Sequence, residues 1–393
     1  MGLMNEYIER KMSASELEDE LIRLIKEYNA KRETYLFLYA SAIGKPIPDI
    51  SLTMDDYYAI YDMLNSKESK QLDFYIETPG GSGEAAEEIG RFIRSEFENV
   101  NFLISGEAKS AGTILALSGN EILMTKSGSL GPIDAQMKIG RSMVSAYDYR
   151  EWVEEKRKEA NRTRALNPFD AIMVAQISPG ELKLVNHSLE FAKDLVIDWL
   201  AKYKFKEWTK TENRQIPVTE AMKKNRAKEI ATELSNHARW RSHGRSLKIN
   251  DLENIGLKIF RVDDDPDLSD IVYKIQTITR LLFISTSTYK IFATEDEKLL
   301  KQAVEMNAPP TMPNQFANQA KVVEFEISCS KCGEKYKMYA KLVDDPNIDD
   351  ELQKKEIKPF PHDNKLLCDC GFEIDLSGIR NEIETTSGKK III

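Results

Sequence analysis

A serine set among small residues is the feature of this sequence that could do chemistry. Ser110 stands in the segment AKSAGT, where a helix is predicted to start after a strand. A serine at such a position has an accessible hydroxyl, and the Ala111 amide points the same way, at the positive end of the helix dipole. The Gly-Gly turn in TPGGSG offers a second donor, the Gly81 amide. A nucleophile with two amide donors is the minimum for acyl transfer.

The elements around this serine predict how the two loops come together. DFYIE (Asp73–Glu77) alternates polar and apolar residues as strands do, EAAEEIGRFIRSEF has an apolar helical face, and VNFLIS and EILMTK follow as further strands. Strands separated by helices imply a parallel sheet with covering helices, an α/β fold. Reactive groups collect at the carboxyl ends of such strands, where both loops stand. Serine caps and glycine turns are also ordinary structural features, so the spacing alone does not prove catalysis.

Three segments of the chain resemble a known family. ETPGGSGEAAEEIGRFI, GEAKSAGTILALSGNEILM and SGSLGPIDAQ look like the serine dehydrogenase proteinase family of the Clp protease/crotonase superfamily, to which signal peptide peptidase A is related. The resemblance covers roughly Leu36 to Glu295 and is strong over residues 73–136. It implies a Clp/crotonase-like ββα superhelix and a serine peptidase. In that peptidase Ser110 is the nucleophile, and the amides of Gly81 and Ala111 form the oxyanion hole.

The resemblance also implies a substrate class and an assembly. The family's cleft lies along a sheet edge where an extended chain can add as a strand, so the predicted substrate is a flexible or unfolded polypeptide. Relatives form closed rings or dimers of trimers, which implies a homo-oligomer. The predicted activity is that of an ATP-independent serine endopeptidase-like hydrolase.

The general base is where the sequence departs from the superfamily. The histidine normally follows the serine by one helix and one strand, but that neighbourhood holds GPID, ending at Asp134, and no histidine. The position of the Clp triad's aspartate, somewhat ahead of a Gly-Leu pair, holds SHG, centred on His243. A triad is defined by geometry and not by chain order. We therefore predict that histidine and aspartate have exchanged places, giving Ser110, His243 and Asp134.

Two alternatives to this triad stay open. His243 could be a solvent-facing loop residue with no role, and the other histidines are interpreted as a packing residue (His187), a helix-end cap (His237) and part of the tail (His362). A serine–lysine dyad, as relatives of signal peptide peptidase use, would instead need a partly desolvated lysine whose pKa falls toward neutral. The candidate lysines are Lys109, Lys126, Lys138 and Lys156.

All four cysteines lie near the end of the chain, in CSKCG and CDCGF. A glycine after the second cysteine of each pair lets backbone amides turn toward the thiolates, which predicts a structural zinc site with four thiolate ligands. The ligands are Cys329, Cys332, Cys368 and Cys370. Disulfides and free thiols are the alternatives, and His362 could replace one ligand. VVEFEIS, EKYKMYAKLV and FEIDLSGI alternate as the short strands of a zinc ribbon, a domain too small for a core of its own.

The length and composition of the chain limit its domain number, its partners and its location. The chain has 393 residues, 41% hydrophobic and 30% charged, which predicts a globular protein of two or three domains. We predict an N-terminal helical segment at 1–45, the peptidase domain at 46–307, a linker at 308–320 and the zinc-ribbon-like domain at 321–393. The apolar end of the first segment, RETYLFLYASAIG, fits either a helix or a buried strand. The net charge of −9 argues weakly against general nucleic-acid binding, which the ribbon could still provide. No long apolar run and no signal-peptide core occur, so a cytoplasmic protein without a membrane span is expected.

Two other functions stay open. The first is a catalytically inactive superfamily fold that serves as a scaffold, with the zinc ribbon binding a protein or nucleic-acid partner. The second is acyl-CoA chemistry of the crotonase type, against which Ser110 in AKSAGT argues. Labelling by a serine-reactive fluorophosphonate separates the peptidase from the scaffold.

Overall fold

The computed structural model describes residues 2–65, 67–139, 142–211, 214–303, 321–329, 331–355, 357–387 and 389–392. The chain divides into two compact units, Met1–Val304 and Glu305–Ile393. The linker predicted at 308–320 lies outside the described residues, so it stays a prediction.

The first unit contains both helices and strands, as an α/β protein should. Its helices are α1 (Leu3–Glu9), α2 (Ala14–Arg32), α3 (Met54–Leu64), α4 (Gly83–Glu96), α5 (Ala111–Ala116), α6 (Ala146–Thr163), α7 (Pro168–Ala175), α8 (Pro179–Trp199), α9 (Glu220–Leu234), α10 (His237–Trp240), α11 (Ile249–Asn254) and α12 (Pro266–Ser285). Short 3-10 turns cover Pro48–Ile50 and Val262–Asp264, and a π-helical turn, Leu200–Lys204, follows α8. Its strands are β1 (Tyr35–Ser41), β2 (Gln71–Glu77), β3 (Asn99–Ile104), β4 (Glu107–Ala108), β5 (Glu121–Met124), β6 (Ser129–Leu130), β7 (Gln136–Ile139), β8 (Ser142–Ser145), β9 (Phe260–Arg261), β10 (Thr288–Ala293) and β11 (Lys298–Gln302).

Seven of these strands form the main sheet, in the order β11-β10-β1-β2-β3-β5-β9. From β1 to β9 every neighbouring pair is parallel, and β10 is antiparallel to both β1 and β11. The helices α3, α4 and α5, which connect the parallel strands β1, β2, β3 and β5, pack on one face of the sheet together with α8 and α9, and α1, α2 and α12 cover the other face. The predicted α/β class is therefore confirmed.

The strand β1 limits the helical part of the segment predicted at residues 1–45, whose apolar end the sequence leaves open between a helix and a buried strand. That range does hold α1 and α2, but residues 35–41 form a central strand, buried along its whole length. Phe37 and Tyr39 face one hydrophobic core, and Leu36 and Leu38 face the other. Because both faces of the strand are covered, its residues up to Ala40 (YLFLYA) are all aliphatic or aromatic and lack the polar alternation that identifies a half-exposed strand.

A second, smaller layer of strands lies next to the carboxyl ends of the main strands. Thr78, just after β2, pairs with Ala108 in β4, β4 pairs with β6, and Leu130 in β6 pairs with Leu247. A helix follows in the first two cases, α4 after the first turn and α5 after the second. The chain therefore repeats main strand, short strand and helix, and each turn brings one loop to the same edge.

The second unit contains a three-stranded sheet and a hairpin. Its elements are β12 (Val322–Ser328), β13 (Lys335–Lys341), α13 (Pro346–Gln353), β14 (Lys358–Pro359), β15 (Lys365–Leu367), β16 (Glu373–Asp375) and α14 (Ser377–Ser387). The segment FEIDLSGI, predicted as one strand, forms β16 only as far as Asp375. The helix α14 begins next, because the Asp375 carboxylate accepts a hydrogen bond from the Ser377 N–H (2.9 Å) and so caps the new helix.

Among the described residues, no helix combines the length and the apolar character that crossing a membrane requires.

Candidate active site

Ser110 has an unusual backbone conformation between β4 and α5. Its φ of 48° and ψ of −115° lie in a region that residues with a side chain rarely adopt. The facing turn is equally constrained, since a Cβ added to Gly80 would lie 2.8 Å from Ser110 Cβ. A strained residue held by its surroundings at a cavity wall is typical of a functional position.

The strain at Ser110 leads to a stability prediction. Ser110→Gly is expected to be more stable than Ser110→Ala by about 1 kcal/mol, because only glycine adopts a positive φ without cost. Urea unfolding of the two variants measures the difference, and both should lack activity equally. Equal stability of the two variants, or a more stable alanine variant, would show that the residue carries no backbone strain.

The Gly81 and Ala111 amides are free to receive a negative charge. Leu52 bonds on both sides of Gly81, donating to Gly80 O (2.7 Å) and accepting from the Ser82 N–H (2.9 Å). A Cβ on Gly81 would lie 2.2 Å from Leu52 O, so this approach requires glycine. Within the described ranges, the N–H groups of Gly81 and Ala111 have no protein acceptor. Both residues line the same cavity as Ser110.

His243 and Asp134 lie in hydrogen-bond contact, although 109 positions separate them in the chain. His243 Nδ1 is 2.9 Å from Asp134 Oδ1. An ionised carboxylate can only accept, so Nδ1 must carry the proton and Nε2 is left as the acceptor. The Asp134 side chain is fully buried, and the His243 side chain is 29% exposed. This is the orientation that a general base needs from its carboxylate partner.

Two further groups contact the Asp134 carboxylate. Gln136 Nε2 donates to Oδ2 (3.0 Å), and His237 Nε2 lies 3.7 Å from the same oxygen, while His237 Nδ1 contacts Asp148 (2.8 Å). Burial alone would raise the pKa of Asp134, but the hydrogen bond and charge of His243, with smaller effects of His237 and Gln136, lower it below its usual range. The carboxylate is therefore ionised at neutral pH.

All five residues predicted to act in catalysis line one cavity of about 580 Å³. Its wall includes Ser110, Gly81, Ala111, Asp134 and His243. No hydrogen bond joins Ser110 Oγ to His243 in the described chain. Such contacts are often long in structures without substrate and tighten only in the complex.

The four candidate lysines of a dyad lie elsewhere. No lysine is among the described residues that line the cavity. Lys126 and Lys138 are exposed. Lys156 contacts Asp170 (2.7 Å) and Glu159 (3.0 Å), and these hydrogen bonds raise its pKa, so the amine stays protonated near neutral pH and cannot accept the serine proton. Lys109 is buried beside Ser110 but bonds away from the cavity.

Two histidines differ from their sequence interpretation. His187, interpreted as a packing residue, is exposed and lines the cavity, because α8 buries the face that carries Val185 and Ala192. His237, interpreted as a helix-end cap, is not the cap of α10, since Asn236 caps that helix. Its contacts with Asp134 and Asp148 were missed because no local pattern reveals them. Gln136 could have been found, since it stands two residues after Asp134 and so shares its side in an extended chain.

The second unit brings its four cysteines together. Cys329 Sγ lies 3.7 Å from Cys370 Sγ, Cys332 Sγ lies 3.5 Å from Cys368 Sγ, and all four sulfurs lie within 4.8 Å of one another. None of the four is in a disulfide. His362 is exposed and does not belong to this cluster of described residues.

The geometry of this cluster fits zinc. A tetrahedral site with zinc–sulfur bonds of about 2.3 Å holds its sulfurs about 3.8 Å apart, close to the distances seen here. Gly333 and Gly371 have φ of 78° and 81°. Each N–H returns to the first cysteine of its pair, Gly333 to Cys329 O and Gly371 to Cys368 O, both at 2.8 Å. The two turns are thus alike and face each other across the sulfurs, as in a four-thiolate metal site.

Comparison with known proteins relates most of the first unit to proteases. Residues 15–212 match the family described as ClpP-like SDH-type serine proteinases. Two uncharacterized proteins of Methanocaldococcus jannaschii are similar to this chain: MJ1495, 29% identical over 137 residues and 32% of this chain, and MJ0137, 25% identical over 203 residues and 49% of this chain. The matches span 46% and 66% of the lengths of these relatives.

Solved structures with partial likeness include two of the 1510-N membrane-bound stomatin-specific protease. For the first the TM-score is 0.33, with 15% identity over 56% of this chain and 79% of that one. For the second, in complex with a substrate peptide, the TM-score is 0.31, with 16% identity over 56% of this chain and 74% of that one. TM-scores this low support no conclusion about mechanism.

Proposed function

The chain belongs to the family of ClpP-like SDH-type serine proteinases, and we propose that it is an active serine peptidase with Ser110 as its nucleophile. The family match covers the mixed α/β core from α2 into the segment after α8. One observation carries the proposal: the His243–Asp134 pair lines the same cavity as Ser110 and the two free amides.

The proposed reaction is acyl transfer to Ser110 followed by hydrolysis. His243 Nε2 takes the Ser110 proton while Oγ attacks the peptide carbonyl carbon, and the same imidazole then protonates the leaving amine. Asp134 holds the Nδ1 proton and stabilises the imidazolium. The Gly81 and Ala111 amides bind the oxyanion of the tetrahedral intermediate. A water activated by His243 then releases the acyl group.

We propose that the substrate is a flexible or unfolded polypeptide, cleaved without ATP. The Gly-Gly turn, Ala135 and Gln136 line the cavity, and we propose that an extended chain pairs with the backbone of these segments. Apolar side chains of Ile114, Ile133 and Phe191 line it as well and offer room for an apolar residue. A homo-oligomer is part of the same proposal, since closed assemblies limit access to folded proteins.

We also propose that the cysteine cluster holds a structural zinc ion. Cys329, Cys332, Cys368 and Cys370 would be its ligands. A closed four-thiolate site leaves no open position for substrate, so the metal would supply folding energy to the second unit and take no part in peptide hydrolysis.

Fluorophosphonate labelling of the purified full chain tests the proposed function. We expect one adduct, which mass spectrometry places on Ser110 and not on the nearby buried serines Ser105, Ser118 and Ser129. Urea-unfolded protein is the control and should not react, because labelling requires the assembled site. The same preparation should cleave an unstructured polypeptide without ATP. A folded, zinc-loaded protein that takes no label would favour the inactive scaffold.

A further inference from the structure

Lys109, the residue before the proposed nucleophile, is a buried cation that pairs with neutral groups. It is only 5% exposed, and no carboxylate lies within ion-pair distance of its ammonium group in the described parts of the chain. Four acceptors lie within hydrogen-bond distance of its Nζ, which has three N–H groups to donate: Ser246 Oγ (2.8 Å), Leu130 O (3.2 Å), Arg245 O (3.3 Å) and Ser129 Oγ (3.3 Å). A buried charge with this many partners is held firmly, because losing them would leave it unpaired.

The four acceptors belong to the segments that carry the proposed acid–base pair. Leu130 lies four residues before Asp134, and Arg245 lies two residues after His243. Lys109 itself is covalently joined to Ser110. A single ammonium group therefore connects the three stretches of chain whose relative positions decide whether base and nucleophile can meet.

Lys109 is poorly placed to be the base itself. A base must accept the Ser110 proton, yet Nζ donates to acceptors away from the cavity and does not line it. Gly131 packs against its methylene groups, where an added Cβ would lie 3.0 Å from Lys109 Cδ. The side chain thus has little room to turn toward the serine.

We propose that Lys109 is a positioning residue: its ammonium group holds the segments of Asp134 and His243 against the strand that leads to Ser110. The inference rests on the proposed function. Its chemical basis is the steep dependence of acyl transfer on geometry, since a displacement of about 1 Å can cost about 10²-fold in rate.

Because the Lys109 ammonium group can lose a proton, its positioning role can be measured in the pH profile of the labelling rate. Burial lowers the pKa of Lys109 to about 8, while Glu107 raises it and Lys248 lowers it further. Lys248 stays occupied by its own bonds to Ser127 O (2.7 Å) and Gly128 O (3.1 Å). Above this pKa, Nζ loses its charge and one donor, so the labelling rate of the wild type is expected to fall.

The test compares Lys109→Met with a matched control, Lys204→Met. Burial lowers the pKa of Lys204 to about 8 as well, but this lysine lines a separate cavity with Glu121 and Lys258. Lys109→Met is expected to lower the second-order rate of fluorophosphonate labelling about 10–100-fold and to abolish the fall above the lysine pKa. Lys204→Met should keep the wild-type labelling rate and the decrease of that rate above the pKa of Lys109. Equal effects of the two substitutions would overturn the proposal.

Two further measurements keep the proposal testable. The Lys109→Arg variant retains a positive charge that does not titrate, so its labelling rate should not decrease at alkaline pH. A fall that persists in this variant would contradict the role of Lys109. Lys109→Met could instead label as poorly as Ser110→Ala while His243→Ala still reacts. That result would make Lys109 the general base and would overturn its role as a positioning residue.

Amide hydrogen exchange of residues 242–247 separates this inference from the proposed function. Faster exchange in these residues in Lys109→Met than in Lys204→Met would show that Lys109 holds this segment in place, whether or not the protein reacts with fluorophosphonate. Unchanged exchange overturns it. If the wild type takes no label, the proposed function fails and the catalytic role of Lys109 fails with it, whereas exchange still reports on the contact.

Discussion

Replacing Ser110 or His243 with alanine is expected to lower kcat on an unstructured peptide by about 10³-fold or more, and replacing both should cost little further. The two groups act on one proton: without the serine the imidazole has nothing to deprotonate, and without the imidazole the serine remains a neutral alcohol. Their effects are therefore expected to be strongly non-additive. Steady-state kinetics of the wild type, the two single variants and the double variant measure the coupling.

His237→Ala is the matched control for this cycle. His237 also approaches Asp134, at 3.7 Å, but its closer partner is Asp148, and it does not line the cavity. We expect it to change kcat by less than about tenfold, because it acts only through the carboxylate. A loss in His237→Ala as large as that in His243→Ala would reassign the base. A small effect of His243→Ala beside a large one of Ser110→Ala would return attention to the lysines.

Local patterns in the sequence were enough to predict the loops that hold Ser110 and Gly81. Strand alternation and helical periodicity repeat within a few residues, so the succession of strand, loop and helix is readable, and parallel strands bring their carboxyl ends to one edge. That topology explains why Gly80 and Ser110 face each other. The role of Ser110 as a nucleophile stays a prediction until labelling tests it.

The pairing of His243 with Asp134 was predicted from the resemblance to the superfamily together with elimination among the histidines, and not from a local pattern. The chain has only four histidines, and the superfamily position for one of them holds Asp134 instead. The structure sets the two side chains 2.9 Å apart. Elimination could not reveal His237 or the Lys109 network. Some of those contacts, such as that of Lys109 with Arg245, join residues more than a hundred positions apart and depend on how the small second layer of strands pairs.

One segment that the sequence leaves open between helix and strand, and one that was assigned wrongly, have physical causes of the same kind. Residues 35–40 are all aliphatic or aromatic because the sheet is covered on both faces, so the sequence shows neither the helical nor the strand period of polar residues. FEIDLSGI alternates like a strand, but Asp375 is placed to cap a helix, and the backbone follows the cap. In each case tertiary burial or a single side-chain bond overrides the local pattern.

Removal of zinc is expected to unfold the second unit. A four-thiolate zinc site contributes about 10–16 kcal/mol of apparent binding free energy at neutral pH, more than the stability of most small domains. The buried core of this unit is modest, and two of its members are the proposed ligands Cys329 and Cys368. After treatment with a strong chelator, we expect amides of β12 and β13 to lose protection against hydrogen exchange, while those of β1 in the first unit keep it.

The cysteine substitutions distinguish a metal site from a cluster of thiols. Cys332→Ser should lose the zinc, measured as one ion per chain in the wild type, and should show the same loss of protection as the chelated protein. His362→Ala is the matched control, because this histidine is exposed and outside the cluster, and it should retain both metal and fold. Full protection of β12 and β13 in metal-free protein would mean that packing alone holds the unit, since the thiolates would then add nothing that folding requires.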